Sequence, residues 1–363
     1  MRQDLNPQWT VTGTERVRGH ERELVMRMAT APVDTLTLDP DNRRLFAVMQ
    51  DKYGGETLTQ EEAMAELWDM QSVKQLFQAI QTATGLTEAL YVTASGKVIE
   101  GNERLTALLH IKMALDAGDI YNEIETPELE RLIDNVPVKI LPSDITSREV
   151  TMMLADMHLG GKDPWDSVNQ ANHIYEMHET LGIPVEDIAY RLRKSKPWVY
   201  QKLKSFRWAS EHFDRSNRWA NTKEFSYFEE LYKKRGAIRD AGLDVNDDDD
   251  RHRFMDWVAQ GNIPRALDVR KLPKVMGYDE TRELLYDGEG QRAFAVLAQY
   301  DASESSPRFA AMERMNRQLD RMTWNEYRMI AGSETHRQLV SDTIAKLQRA
   351  LDTVETTDWE LEE

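Results

Sequence analysis

Apolar residues change their spacing along this chain near residue 145. Before that point, short runs with strand-like composition recur at 35–38, 89–93, 98–99 and 136–141. Helical spacing separates these runs, most clearly at 102–117, and beyond residue 145 helical spacing is the only pattern present. We therefore expect an α+β fold that is mostly helical, with a small α/β domain followed by helices alone.

Helix-start signals support this division. Thr59 with Glu62, and Thr146 with Glu149, have the spacing of capping boxes. The Asp163–Pro164 pair has the form of an N-cap followed by a proline in the first turn, which predicts a further helix start.

These patterns divide the chain into four parts. Residues 1–34 are predicted to form a polar N-terminal extension, and residues 35–145 an α/β domain. Residues 146–212 are predicted to form a helix-turn-helix domain, and residues 213–363 an all-helical C-terminal domain.

The helix-turn-helix prediction rests on residues 182–206, which read as two short helices joined by a tight turn. Ile188 and Leu192 have helical spacing in the first helix, and Val199 continues an apolar face in the second. Ser195 is suited to cap the second helix. In such motifs the second helix enters the major groove of DNA.

Local charge distinguishes this segment from the rest of the chain. The net charge is −17 at pH 7, whereas residues 191–207 hold seven basic side chains and no acidic one. Because a net negative field repels nucleic acid, a basic island indicates a docking face for double-stranded DNA. The alternative is a solvated, salt-bridged helix pair. The candidate DNA-binding residues are Lys194, Ser195, Lys196, Trp198, Tyr200, Gln201, Lys202 and Lys204.

Different roles are expected within that set. Side chains in the first turns of the second helix are expected to reach base edges, and Gln201 is suited to pairing with adenine. Lys202 and Lys204 are expected to touch phosphates, which fix position without reading sequence.

Composition excludes several classes of function. The chain contains no Cys, so disulfides, cysteine zinc sites and thiol nucleophiles are ruled out. No apolar run approaches the length of a membrane span, and the N-terminus is too polar for a signal peptide. We expect a cytoplasmic protein with no membrane contact.

Three segments in order resemble the ParB/sulfiredoxin superfamily, and specifically its ParB-like DNA-binding proteins. They are LDPDNRRL (Leu38–Leu45), GKVIEGNERLTAL (Gly96–Leu108) and RKSKPWVYQKLKSF (Arg193–Phe206). The resemblance implies a ParB/sulfiredoxin-like α/β domain before the helix-turn-helix, and DNA binding gated by CTP with magnesium. It also implies a role in DNA segregation, in transcriptional control, or in a DNA-modification or defence system.

Gly101, Asn102, Glu103 and Arg104 occupy the positions of the family's nucleotide box, and Gly101 and Arg104 match it. A glycine at a strand end and a helix start with an arginine suit a phosphate. Asn102 stands where the family usually has Glu, and Glu103 where it usually has Arg. In the second box, Asp156 is the one candidate metal ligand. The alternative is a structural turn in which Arg104 pairs with a carboxylate.

Two other classes of function stay open. One is a nucleotide-using enzyme of this superfamily, such as a CTP hydrolase, a kinase or a nuclease; sulfiredoxin chemistry is excluded because it needs Cys. The other is a protein-interaction adaptor with a vestigial site and an unknown protein partner for the C-terminal domain. The helix at 334–354 bears an apolar stripe that could be a homodimer seam or a face packed on its own domain, namely Val340, Ile344, Leu347 and Leu351.

Overall fold

The computed structural model describes residues 6–19, 22–120, 125–159 and 166–356. Within these ranges a mixed sheet and its covering helices are followed by helices alone. The predicted α+β, mostly helical fold class is confirmed.

The sheet in the described residues has five strands. They are β1 (Thr10–Arg18), β2 (Glu23–Ala31), β3 (Leu90–Val92), β4 (Val98–Glu100) and β5 (Val136–Ile140). Their order across the sheet is β1-β2-β5-β3-β4. β3 and β5 run parallel, and the other neighbouring pairs are antiparallel. The strands predicted at 89–93, 98–99 and 136–141 are all present.

The β1–β2 hairpin corrects the prediction that residues 1–34 form an extension outside the α/β domain. Leu24 and Met26 are buried in one small core with Leu141 and Met153. Buried and exposed positions largely alternate along β2, as expected for a strand with one face on a core. Val25 and Met28 stand at exposed positions of β2, so apolar and polar residues do not alternate in its sequence.

The predicted strand at 35–38 is also shorter than expected. It is reduced to a single bridge between Thr37 and Lys97, because a 3-10 turn occupies Val33–Thr35. The helices of the α/β part are α1 (Phe46–Lys52), α2 (Gln60–Trp68), α3 (Gln71–Ala83), α4 (Asn102–Ala117) and α5 (Glu125–Asp134).

Helix α4 is the centre of the α/β core. Its side chains Leu105, Leu108 and Ile111 are fully buried, in one cluster with Leu90 of β3 and Val98 of β4. The turn between β4 and α4 is therefore held in place by packing on both sides.

The region predicted as a helix-turn-helix domain contains α6 (Ser147–His158), α7 (Ser167–Tyr175), α8 (Val185–Leu192) and α9 (Lys196–Ser216). Both predicted capping boxes are present, at the starts of α2 and α6. The helix start predicted at Asp163–Pro164 lies outside the described residues. Side chains from α7, α8 and α9 share one buried cluster, which includes Ile174, Ile188, Ala189, Val199 and Leu203.

The predicted boundary at residues 212 and 213 needs correction, because it would cut through α9. The chain divides instead into two compact units, Met1–Met276 and Gly277–Glu363. The first unit therefore also contains α10 (Phe225–Asp240), α11 (Asp248–Ala259) and most of α12 (Leu272–Gly277). Helix α10 packs on α9, where the Ser205 hydroxyl donates to the Phe228 carbonyl over 3.1 Å.

The second unit is helical throughout its described residues. Its helices are α13 (Asp279–Tyr286), α14 (Gly290–Tyr300), α15 (Ala302–Ser305), α16 (Pro307–Leu319), α17 (Trp324–Gly332) and α18 (Glu334–Thr356). In the apolar stripe of α18, Ile344 is 61% and Leu351 58% exposed, whereas Leu347 is half-buried. Of the helices that the structure describes, none is long and apolar enough to cross a membrane.

A buried histidine makes the stability of the first unit depend on pH. His173 on α7 is fully buried, and its Nε2–H donates to the Thr151 carbonyl of α6 over 2.9 Å. Burial, with a smaller effect from the charge of Arg43, holds the pKa of His173 well below its usual value. The folded state therefore resists protonation of this ring.

We predict that acid destabilises the first unit through His173. Below about pH 6.5 an unfolded histidine binds a proton that folded His173 does not, so the free energy of unfolding should fall between about pH 7 and pH 5. His173→Gln should flatten that slope, and His336→Gln, at an exposed histidine, should leave it unchanged. Urea unfolding at several pH values measures both. An unaltered slope in His173→Gln would contradict the prediction.

Candidate nucleic-acid interface and the adjoining cleft

The turn between α8 and α9 has the geometry that a helix-turn-helix needs. Arg193 adopts the left-handed conformation, with φ of 53°, and ends α8. The Lys194 N–H donates to the Ala189 carbonyl over 3.0 Å. The Ser195 hydroxyl then accepts from the Trp198 N–H at the start of α9. This capping function of Ser195 agrees with the sequence prediction.

Most of the predicted DNA-contacting side chains share one open surface. Lys194, Lys196, Tyr200 and Lys204 are exposed, and Ser195 is exposed at the cap. Lys204 has no carboxylate partner among the described residues.

Two of these cations already have contacts within the chain. The Lys194 ammonium lies 5.5 Å from the centre of the half-buried Trp198 ring, and Lys196 pairs with Glu186 over 2.8 Å. Both side chains remain at the surface, where an ion pair of this kind contributes less than about 1 kcal/mol. Gln201 is half-buried beside them.

Lys202 does not lie on this surface, which corrects its predicted phosphate contact. Its side chain is buried, and its ammonium pairs with Glu229 of α10 over 2.8 Å and donates to the Ser167 hydroxyl. The ammonium also lies 5.6 Å from the Phe225 ring centre. Lys202 therefore joins α9 to α10 and α7 instead of facing solvent.

A cleft of about 1610 Å³ lies beside the helix-turn-helix, between the α/β part and helices α6, α7 and α9. The predicted nucleotide box forms part of its wall. Gly101 has φ of 103°, and an added Cβ would stand 2.5 Å from the Leu90 side chain. Both the backbone conformation and the packing thus require glycine here.

Asn102 is a structural residue in this arrangement. Its side chain is buried, accepts from the Asp39 N–H over 2.8 Å and donates to the Val98 carbonyl over 3.0 Å. Asn102 therefore ties Asp39, in the turn that follows the Thr37–Lys97 bridge, to the start of α4. Glu103, next to it, accepts from the Ser72 hydroxyl and lies 3.4 Å from Arg44.

Arg104 is enclosed by acceptors of its own chain. Its guanidinium donates to the Glu100 carboxylate over 3.1 Å and to the Glu88 carbonyl over 3.0 Å, and its side chain is only 13% exposed. The structure thus brings the four residues of the predicted nucleotide box together. Arg104 pairs with the Glu100 carboxylate, as expected if the box is a structural turn.

A buried histidine, which the sequence indicated as a surface or interface residue, completes this network. The His158 Nε2–H donates to Glu100 over 2.9 Å. Burial alone would raise the pKa of Glu100, but the bonds and charges of His158 and Arg104 outweigh it and lower that pKa. His158 stands on α6 and Glu100 on β4, 58 residues apart, so only the fold reveals the pair.

Asp156 is engaged with the helix-turn-helix and not with a metal site. Its carboxylate accepts two bonds from Arg191 of α8, one of them 2.9 Å long. No group of three or more acidic or histidine side chains that could hold a metal ion occurs among the described residues. The predicted magnesium ligand is instead an ion-pair partner.

The cleft fits a nucleotide in volume but not in charge. Among the described residues, seven carboxylates line it against five Lys and Arg side chains, so this lining opposes a bare triphosphate. The carboxylates are those of Asp39, Asp41, Glu88, Glu100, Glu103, Glu176 and Asp214.

Aromatic and ionic contacts join the α/β part to the helix-turn-helix across this cleft. The Phe46 ring lies 5.3 Å from that of Trp219 and 6.2 Å from that of Phe206. Arg43 pairs with Glu176. Burial lowers the pKa of Arg43 to about 10, against an opposing effect from Asp39. The two parts therefore form one connected body around the cleft.

Comparison with known proteins identifies no family for this chain. No family model matches it, and no curated protein matches it. A search of solved structures finds similarity to the C-terminally truncated chromosome-partitioning protein ParB from Caulobacter crescentus complexed with CTP-γ-S. The match is 15% identical, covers 57% of this chain and 97% of that one, and has a TM-score of 0.20. Because that TM-score is low, the functional conclusions rest on the residues of this chain.

We predict that Arg104→Ala destabilises the first unit by about 2–3 kcal/mol, because it leaves Glu100 without its guanidinium partner in a largely buried site. Arg131→Ala, at an exposed ion pair with Glu128, is the matched control and should change the stability by less than about 1 kcal/mol. Urea unfolding measures both. If Arg104→Ala were as stable as the unaltered protein, the structural role would be excluded.

Proposed function

We propose that this protein binds double-stranded DNA through the N-terminal turns of α9. The observation that carries the proposal is the exposed set of Lys194, Lys196, Tyr200 and Lys204 in the turn before α9 and along its first half, within a chain of net charge −17. In a chain of this overall charge, such a set is favoured where a polyanion must approach. Gln201 and Tyr200 supply hydrogen-bonding groups for base edges.

Asp156 and Arg191 support α8 in this role. The ion pair ties the first helix of the motif to α6 and so holds α8 in place. A recognition helix reads bases well only when its supports hold it in register.

Variants of the exposed lysines test the proposal by salt dependence. Lys194→Ala with Lys204→Ala should weaken binding to all duplex sequences and reduce the slope of log K against log salt by about two units. Gln201→Ala should weaken binding to a selected site more than to a random duplex. Fluorescence anisotropy with both duplexes, from low to high salt, measures these effects.

Lys202→Met is the matched control on the same helix. Because Lys202 is buried, this variant should keep the salt slope of the unaltered protein. Its thermal stability should fall, since Glu229 loses its ion-pair partner. Wild-type affinity and slope in the Lys194/Lys204 double variant would refute the α9 face.

Nucleotide gating has less support than DNA binding. The volume of the cleft favours it, whereas the excess of carboxylates and the pairing of Arg104 oppose it. We expect CTP alone to bind no more tightly than in the millimolar range, since like charges in a cleft disfavour a triphosphate. Calorimetric titration with CTP, ATP and GTP, with and without magnesium and duplex, would reveal gating as a ligand-dependent change in DNA affinity.

We also propose self-association through α18, because two copies of one recognition helix can hold two half-sites. Ile344→Glu with Leu351→Glu should convert the assembly to monomers without loss of folding, since both positions are exposed in a single chain. Sedimentation analysis and circular dichroism measure the two outcomes. A wild-type protein that already sediments as a monomer would contradict this proposal.

A further inference from the structure

A second basic segment lies on α10, outside the helix-turn-helix. Residues 232–239 read YKKRGAIR and contain four basic side chains and no acidic one. Arg235 and Arg239 are four residues apart, so they lie on the same face of the helix. Both are exposed.

Gly236 lies between these arginines, in the interior of the helix, where it lowers helix stability relative to alanine. Nothing inside the protein explains the choice of glycine. Its backbone is not in the left-handed region, and an added Cβ would meet no atom within 4 Å. A glycine without an internal reason suits a place where an external backbone approaches the helix closely.

Aromatic side chains link Arg235 to α9. The Arg235 guanidinium lies 3.9 Å from the centre of the Tyr232 ring, which lies 6.1 Å from the ring of Trp208 on α9. Lys204 stands one helical turn before Trp208. Two ring contacts thus connect Arg235 to the helix that carries Lys204.

A shallow depression of about 390 Å³ accompanies these residues, lined by Arg235, Gly236, Arg239, Asp244 and Asn246. Asp240 lies 3.3 Å from Arg239 at its edge. The Asp244 carboxylate accepts from both the main-chain and the side-chain N–H groups of Asn246. The guanidinium groups of Arg235 and Arg239 thus lie at the surface of the depression. The Asp244 carboxylate in its lining is already hydrogen-bonded within the chain.

We propose that Arg235, Gly236 and Arg239 form a second contact for the duplex, an inference that rests on DNA binding by α9. The sugar–phosphate backbone that flanks the groove entered by α9 lies against Gly236. Arg235 and Arg239 hold its phosphates, on either side of the glycine. This contact is independent of base sequence, because it involves phosphates and backbone alone.

Charge-neutral variants test the contact directly in the full chain. Arg235→Gln with Arg239→Gln should weaken binding to a random duplex at least tenfold at about 0.15 M salt and lower the salt slope by about two units. The matched control is Arg16→Gln with Arg131→Gln, two exposed arginines of the α/β part that each pair with a carboxylate. The control should bind as the unaltered protein does.

Gly236→Gln tests close approach separately from charge. This variant should raise or preserve the thermal midpoint, since the space around Gly236 is open, and should weaken duplex binding with an unchanged salt slope. If both α10 variants bind with wild-type affinity and slope while the Lys194/Lys204 variant binds weakly, the α10 contact is overturned and the α9 proposal stands. If the unaltered protein binds no duplex at all, both are overturned.

Discussion

Charge compensation within the chain determines which surfaces of this molecule can meet a partner. The sequence has 63 acidic and 46 basic residues, so a basic side chain near the core readily finds a carboxylate. Glu100 holds Arg104, Asp156 holds Arg191, and Glu229 holds Lys202. An unpaired charge in such places would cost several kcal/mol. Among the exposed cations, Lys194, Lys196 and Lys204 cluster at α9 and its preceding turn, and Arg235 and Arg239 lie together on α10.

The same constraint explains how far the candidate site could be predicted from sequence. The turn, the Ser195 cap and the exposed lysines depend on neighbouring residues, so local spacing was enough to place them. The role of Lys202 depends on Glu229, 27 residues further along, and that of Asp156 on Arg191, 35 residues away. A run of basic residues carries no information about which of them a later helix will cover.

The fold shows a similar division between local and distant causes. Capping boxes and the boundaries of α4 were predictable, since each depends on side chains within a few residues. The β1–β2 hairpin was not predictable, because β2 pairs with β5, which lies more than a hundred residues later. About half of the positions of β2 also face outward. The predicted boundary at residues 212 and 213 was misplaced, because α9 continues past the motif to Ser216 and α10 packs against it.

The length of α9 has a mechanical consequence. Its 21 residues form a rod of roughly 30 Å, with the proposed base-reading turns at one end. Near the other end, Phe213 packs on Trp219, whose ring also contacts Phe46 of the α/β part. One continuous helix therefore connects the proposed base-reading turns to the aromatic contacts with the α/β part, and the packing of Val199, Leu203 and Lys202 holds it along its length.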